Sequence, residues 1–190
     1  MIQIRHERVS DFNAREALLD QAFGDTRYRK SSERLREDRL PAEGLAFIAA
    51  DGKQVVGTAR LWNVGCGNGT PALLLGPVAV SEDRRGEGIG ADLVRRGVRE
   101  AKRLGYGAVV LVGDAPYYGR FGFTAEKTGA LWMPGPFERH RLLAVELQAG
   151  ALDGARGMIN PTGRLEPKPD LAALVAQDRR AMRRQPRHAA

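Results

Sequence analysis

The stretch Val78-Ala-Val-Ser-Glu-Asp-Arg-Arg-Gly-Glu-Gly-Ile-Gly90 has residue types and spacing that suit a phosphorylated ligand. An apolar run ends, a polar turn follows, and Gly86, Gly88 and Gly90 lead into an amphipathic segment starting near Ile89. The first N–H groups of a helix have no intrahelical partner and sit at the positive end of its dipole. Glycine has no β-carbon, so a phosphate can approach the backbone closely. Arg84 and Arg85 add positive charge at the rim. The chemistry implied is anion binding, and a pyrophosphate fits it.

Two familiar nucleotide sites are disfavoured. Gly86-Glu-Gly-Ile-Gly-Ala91 matches the GxGxxA form of the dinucleotide fingerprint, and Asp114 lies 23 residues past Ala91, close to where that fold places a ribose carboxylate. However, five residues separate Val80 from Gly86, whereas dinucleotide glycines follow their strand almost at once. The unit also stands mid-chain, with no room for a second mononucleotide half. A P-loop is excluded because no Gly-Lys-Ser/Thr follows.

The elements that must position this loop are readable from pattern. MIQIRHERV alternates and predicts a first strand. Ser10 or Asp11 can cap a helix carrying Ala14, Leu18, Leu19 and Ala22, which Gly24 would stop. SSERLREDRL predicts a short second helix. LAFIAADGKQVVGTARLWNV predicts two strands joined at Asp51-Gly52. GCGNGTP reads as a turn, and PALLLGPVAV as a buried strand. A helix follows from about Ile89 to Leu104, then a strand AVVLVG, a short helix or turn in APYYGRFGF, and a last strand RLLAVEL. Hairpins followed by a β-α-β crossover define an α+β fold with a mixed sheet. The composition changes at Gly150, so the expected division is a domain over 1–149 and an extension over 150–190 with a short basic helix.

Composition bounds the rest. The 190 residues carry a formal net charge of +7. From Arg164 onward seven basic residues face three acidic ones, so most of the excess sits in the tail. That is an ordinary solvated terminus, and nucleic-acid binding through Arg179, Arg180, Arg183 and Arg184 is disfavoured because no aromatic residue stands among them for stacking. No apolar run approaches the roughly 18–20 residues of a membrane span. The charged N-terminus has no secretory h-region, and Cys66 is the single cysteine, so a cytoplasmic setting is expected.

Arg85-x-x-Gly88-x-Gly90, preceded by VAV and followed by an amphipathic helix, resembles the acetyl-CoA motif of the GCN5-related N-acetyltransferase (GNAT) superfamily. LLLGPVAV, RGEGIGADLV and YYGRFGF together resemble a subgroup of small bacterial acetyltransferases. The resemblance covers about residues 2–147 and is sharpest over 73–123. It implies a central, mostly antiparallel sheet of about seven strands flanked by helices, with a splayed pair of strands holding the cofactor.

The resemblance also implies roles. Gly76-Pro77 inside an apolar strand fits a bulge. Val78, Ala79 and Val80 would offer backbone to pantetheine, and an N–H near Val78 would polarise the thioester carbonyl. Arg85, Gly86, Glu87, Gly88, Ile89 and Gly90 would hold the pyrophosphate through backbone donors. Tyr118 stands four residues before the Gly of Gly122-Phe123, where the family places the acid that protonates the leaving thiolate. Tyr117 is its alternative. Asp114 would hold the pantetheine or cap the next helix.

One departure stands out. Relatives often carry an acidic base on the strand before the loop, and Leu73–Val80 has none. Glu138 and His140 are the replacement candidates, while Cys66 lacks the partners of a nucleophile. The expected activity is acetyl transfer from acetyl-CoA, without a metal, to an unidentified primary amine on a small molecule or peptide. The alternative is an acyl-CoA-binding module that has lost catalysis. Trp62, Trp132 and Phe137 are candidates to line the acceptor pocket. No membrane partner is expected, and homodimer formation is a further expectation.

Overall fold

The architecture follows from which face of each strand is apolar. In the computed structural model, which describes residues 1–168, β1 (Ile2–His6) pairs antiparallel with β2 (Ala46–Asp51). A tight turn with Gly52 at φ 59° joins β2 to β3 (Gln54–Cys66), which pairs in turn with β4 (Thr70–Val80). The segment before Gly67 therefore continues β3 rather than forming a wide turn. β5 (Ala108–Val112) runs parallel to β4 and antiparallel to β7 (Leu142–Glu146). The sheet order is β1-β2-β3-β4-β5-β7, and β9 (Asn160–Pro161) adds to β3 as the seventh strand. A separate pair joins β6 (Leu131–Trp132) to β8 (Gly157–Met158).

β4 is apolar over residues 72–75 because both of its faces are covered there. Leu73 and Leu75 pack with Phe47, Leu61, Val109 and Leu111 against α2 (Ile89–Arg103), which contributes Leu93, Val94 and Ala101. Ala72 and Leu74 face a second core with Val64, Cys66, Val110 and Leu131. That second core also contains Leu152, Ala155 and Ile159, so packing continues across Gly150 despite the change in composition. The basic helix expected over PKPDLAALVAQDRRAMRRQ lies outside the described residues, apart from Pro167 and Lys168.

α1 (Phe12–Phe23) ends where expected, at Gly24 with φ 58°. Asp11 precedes it, but its carboxylate binds Arg5 and the Arg8 N–H rather than the first turn of α1. The second helix expected in SSERLREDRL is a single 3-10 turn, Glu33–Leu35. Leu35 anchors that turn in the core, and Asp38 at φ 55° adopts a left-handed conformation that a helix cannot continue through. α3 (Ala115–Gly119) is the short helix after β5.

Candidate active site

β4 and β5 pair only at Leu73–Val109 and Leu74–Val110. Beyond these, β5 follows β7 up to Val112–Leu142, and β4 stays with β3. The two strands therefore splay, and a cleft of about 300 Å³ opens between them. Its walls include Gly76, Pro77 and Val78 from β4, Val112 at the end of β5 with Gly113 after it, and Tyr118 from α3.

The bulge expected at Gly76-Pro77 is present. Ala59 faces Val78 and Leu61 faces Leu75, so two residues of β4 oppose Arg60. Gly76 has φ 134°, and its peptide bond to Pro77 is cis. Trp62 Nε1 donates to the Gly76 carbonyl at 2.5 Å, tying the bulge to β3.

The glycine loop stands at the end of β4. Gly86 (φ 89°) and Gly88 (φ 82°) have positive φ, and no atom would approach a β-carbon at either within 4 Å. The cradle is open above these glycines, the space a pyrophosphate needs. The first bond of α2 runs from the Asp92 N–H to the Gly88 carbonyl at 3.0 Å, so the N–H groups from Gly88 to Ala91 precede its ladder. The two arginines of the loop differ. Arg84 is tied to Asp51 and Glu87, whereas Arg85 lines a cavity with Leu18, Gln21, Ala22 and Val80. Gly90 lies against Tyr117, whose hydroxyl would be 3.3 Å from a β-carbon there.

The two tyrosines thus separate. Tyr117 stands over the start of α2, and Tyr118 enters the cleft. Their rings meet edge to face at 4.9 Å. Burial, reinforced by Tyr117 and opposed by Arg141, pushes the Tyr118 phenol up to about 12, so it keeps its proton at neutral pH. Asp114 is the N-terminal flanking residue of α3. Its side chain makes no capping bond, and it lines the cleft.

A second cavity of about 100 Å³ adjoins the first, sharing Phe23, Arg36 and Pro77. Glu16, Arg27, Tyr28, Glu33, Arg60 and Trp62 complete much of its wall. Glu33 pairs with Arg36 at 2.5 Å. Burial tends to raise the Glu16 pKa, but hydrogen bonds from Arg27 and Arg15 outweigh it and hold the group below its ordinary value. Glu138 and His140 lie outside both cavities, strongly exposed and 3.4 Å from each other. Trp62 lines the second cavity, while Trp132 and Phe137 pair with each other away from it. Burial raises the Cys66 thiol to about 11, which leaves it un-ionised and poorly nucleophilic at neutral pH. Among the described residues no cluster of potential metal ligands occurs, and no helix is long and apolar enough to cross a membrane.

A splayed parallel pair, a bulge where the splay begins and a glycine turn opening a helix are the features of an acyltransferase fold. Residues 3–125 match the acetyltransferase (GNAT) domain model. The chain is 32% identical over 157 residues to the uncharacterized N-acetyltransferase YhbS of Escherichia coli K12, covering 82% of this chain and 93% of that one. The structure of E. coli YhbS in complex with CoA superposes with a TM-score of 0.72 at 31% identity, covering 84% of this chain and 89% of that one. A GNAT family acetyltransferase from Brucella melitensis in complex with acetyl-CoA gives a TM-score of 0.65 at 27% identity, covering 84% and 95%. The chain belongs to the GNAT family of acetyltransferases.

Proposed function

We propose that this protein transfers the acetyl group of acetyl-CoA directly to a primary amine. The carrying observation is the cleft between β4 and β5, with Tyr118 on one wall and the bulged strand on the other. The CoA and acetyl-CoA complexes of the two similar proteins support the choice of donor.

In this reading, Arg85, Gly86, Glu87, Gly88, Ile89 and Gly90 hold the pyrophosphate through backbone N–H groups. The pantetheine arm lies along Val78, Ala79 and Val80, with Asp114 at the opposite side of the cleft. An N–H near Val78 polarises the thioester carbonyl. The acceptor first loses its ammonium proton to water. Its nitrogen then forms a bond to the carbonyl carbon, the carbon–sulfur bond breaks, and Tyr118 donates a proton to the thiolate. The Tyr118 phenolate regains its proton from the acylated nitrogen through solvent. The products are an acetamide and coenzyme A.

Calorimetric titration with acetyl-CoA, followed by thiol-release assays over a broad amine panel, tests this. Binding with turnover supports it. Binding without turnover favours a non-catalytic acyl-CoA sensor, and absence of binding removes both readings.

A further inference from the structure

Three cations line the cleft: Lys30, Arg36 and Arg141. Leu74, Leu75 and Gly76 of β4 line the same cleft. The loop is the natural place for the cofactor's phosphates, and the pantetheine arm is neutral. Nothing in the donor's proposed path calls for three positive charges between β4 and β5. Asp114 is the one carboxylate among the described residues that line the cleft.

The cations are incompletely matched. The Arg36 side chain is only 7% exposed and pairs through Nη2 with Glu33, but its Nε has no hydrogen-bond partner among the described residues. Lys30 Nζ rests 4.2 Å above the Phe23 ring, and no carboxylate lies within 4.0 Å of it among the described residues. Arg141 has Glu138 at 3.6 Å and the Gly113 carbonyl at 3.4 Å. Partial burial, and then repulsion from Arg36 and Arg141, lower the Lys30 pKa, so Lys30 stands close enough to both guanidiniums to feel their charge.

We infer that Lys30, Arg36 and Arg141 recognise a carboxylate close to the reacting thioester, carried by the acceptor, so that the acceptor is an amino-acid-like amine. This rests on the acetyltransferase reading above. Arg36 also lines the adjoining cavity, so an acceptor seated there by Phe23, Tyr28 and Trp62 would bring its carboxylate to the cluster and its amine toward the bulge. A carboxylate is a strong, partly bidentate partner for guanidinium and ammonium groups. The same anion could be offered by the acyl chain of a dicarboxylic acyl-CoA.

The test uses the full chain, acetyl-CoA and matched acceptors: phenylalanine against phenethylamine, tyrosine against tyramine, tryptophan against tryptamine. Acetyl-CoA binding is first established by calorimetry, so that failure of the donor site is recognised separately. The expected result is a kcat/KM at least about tenfold higher for the carboxylate-bearing member of a pair, as charged hydrogen bonds provide. Lys30→Gln and Arg36→Met should reduce that ratio by about tenfold while acetyl-CoA affinity is kept. Lys30 is at the surface, so K30Q decides the matter if R36M fails to fold. With acetyl-CoA bound, equal or greater activity on the decarboxylated amines, or activity on no member of the panel, overturns the inference. A preference for succinyl-CoA over acetyl-CoA that K30Q removes assigns the carboxylate to the donor, and overturns the acceptor assignment.

Discussion

A methyl group on Gly113 would fall 2.3 Å from Cε2 of Tyr118. The absence of that methyl is what lets the Tyr118 ring lie against the end of β5 and reach the cleft.

Gly113→Ala should therefore push the Tyr118 ring out of place or widen the splay. Overpacking of this kind costs about 1–3 kcal/mol. The expected outcome is a lower thermal midpoint together with a loss of kcat, read by calorimetry and thiol release on the same preparation.

Tyr118→Phe should keep acetyl-CoA binding and lower kcat by roughly 10²–10⁴-fold, the range for a lost general acid. Its pH dependence has a defined sign. The phenol is raised to about 12 when folded against a reference of 10.0, so the folded chain binds the extra proton in between. The associated stability is complete below pH 10 and falls as pH rises from about 10 to about 12. Denaturant midpoints across that window should fall less steeply for Y118F than for the wild type.

Gly88→Ala tests the loop without filling it. No atom lies within 4 Å of the new β-carbon, but φ is 82°. The left-handed strain is about 1–2 kcal/mol, relieved by moving the loop. Acetyl-CoA affinity should weaken by about tenfold, measured by titration, if the loss matches that strain.

Asp11→Asn tests what orients α1, whose Phe23 lines the cleft. Hydrogen bonds from Arg5 at 2.7 and 2.8 Å, against the opposing effect of burial and helped by the Arg8 N–H, hold the Asp11 carboxyl down at about 2. A depressed carboxylate contributes stability above its unfolded value of 3.8 that is lost as pH falls toward 2. Urea midpoints should separate wild type from D11N at pH 6 and converge near pH 2.

Much of the fold around the glycine loop was legible because its signals are local. The alternation of β1, the Asp51-Gly52 turn, the spacing of Ile89, Leu93 and Val94, and the loop glycines each report a conformation that neighbouring residues decide. Gly76-Pro77 marked the bulge for the same reason. The expected helix near Ser31 was not legible, because burial of Leu35 and the left-handed Asp38 override a capping pattern. Glu138 and His140 stood near the last strand in sequence, yet that turn carries them into solvent.

The sequence by itself determined a glycine-opened helix after a bulged apolar strand, and with it the family. Only the tertiary structure decided which side chains line the cleft and the cavity beside it. Lys30 and Arg36, Trp62, and Arg141 come from three separate segments, and no local pattern marks side chains that meet solely because a sheet and its flanking turns pack together. Gly113 could be noticed only once the Tyr118 ring was seen against it.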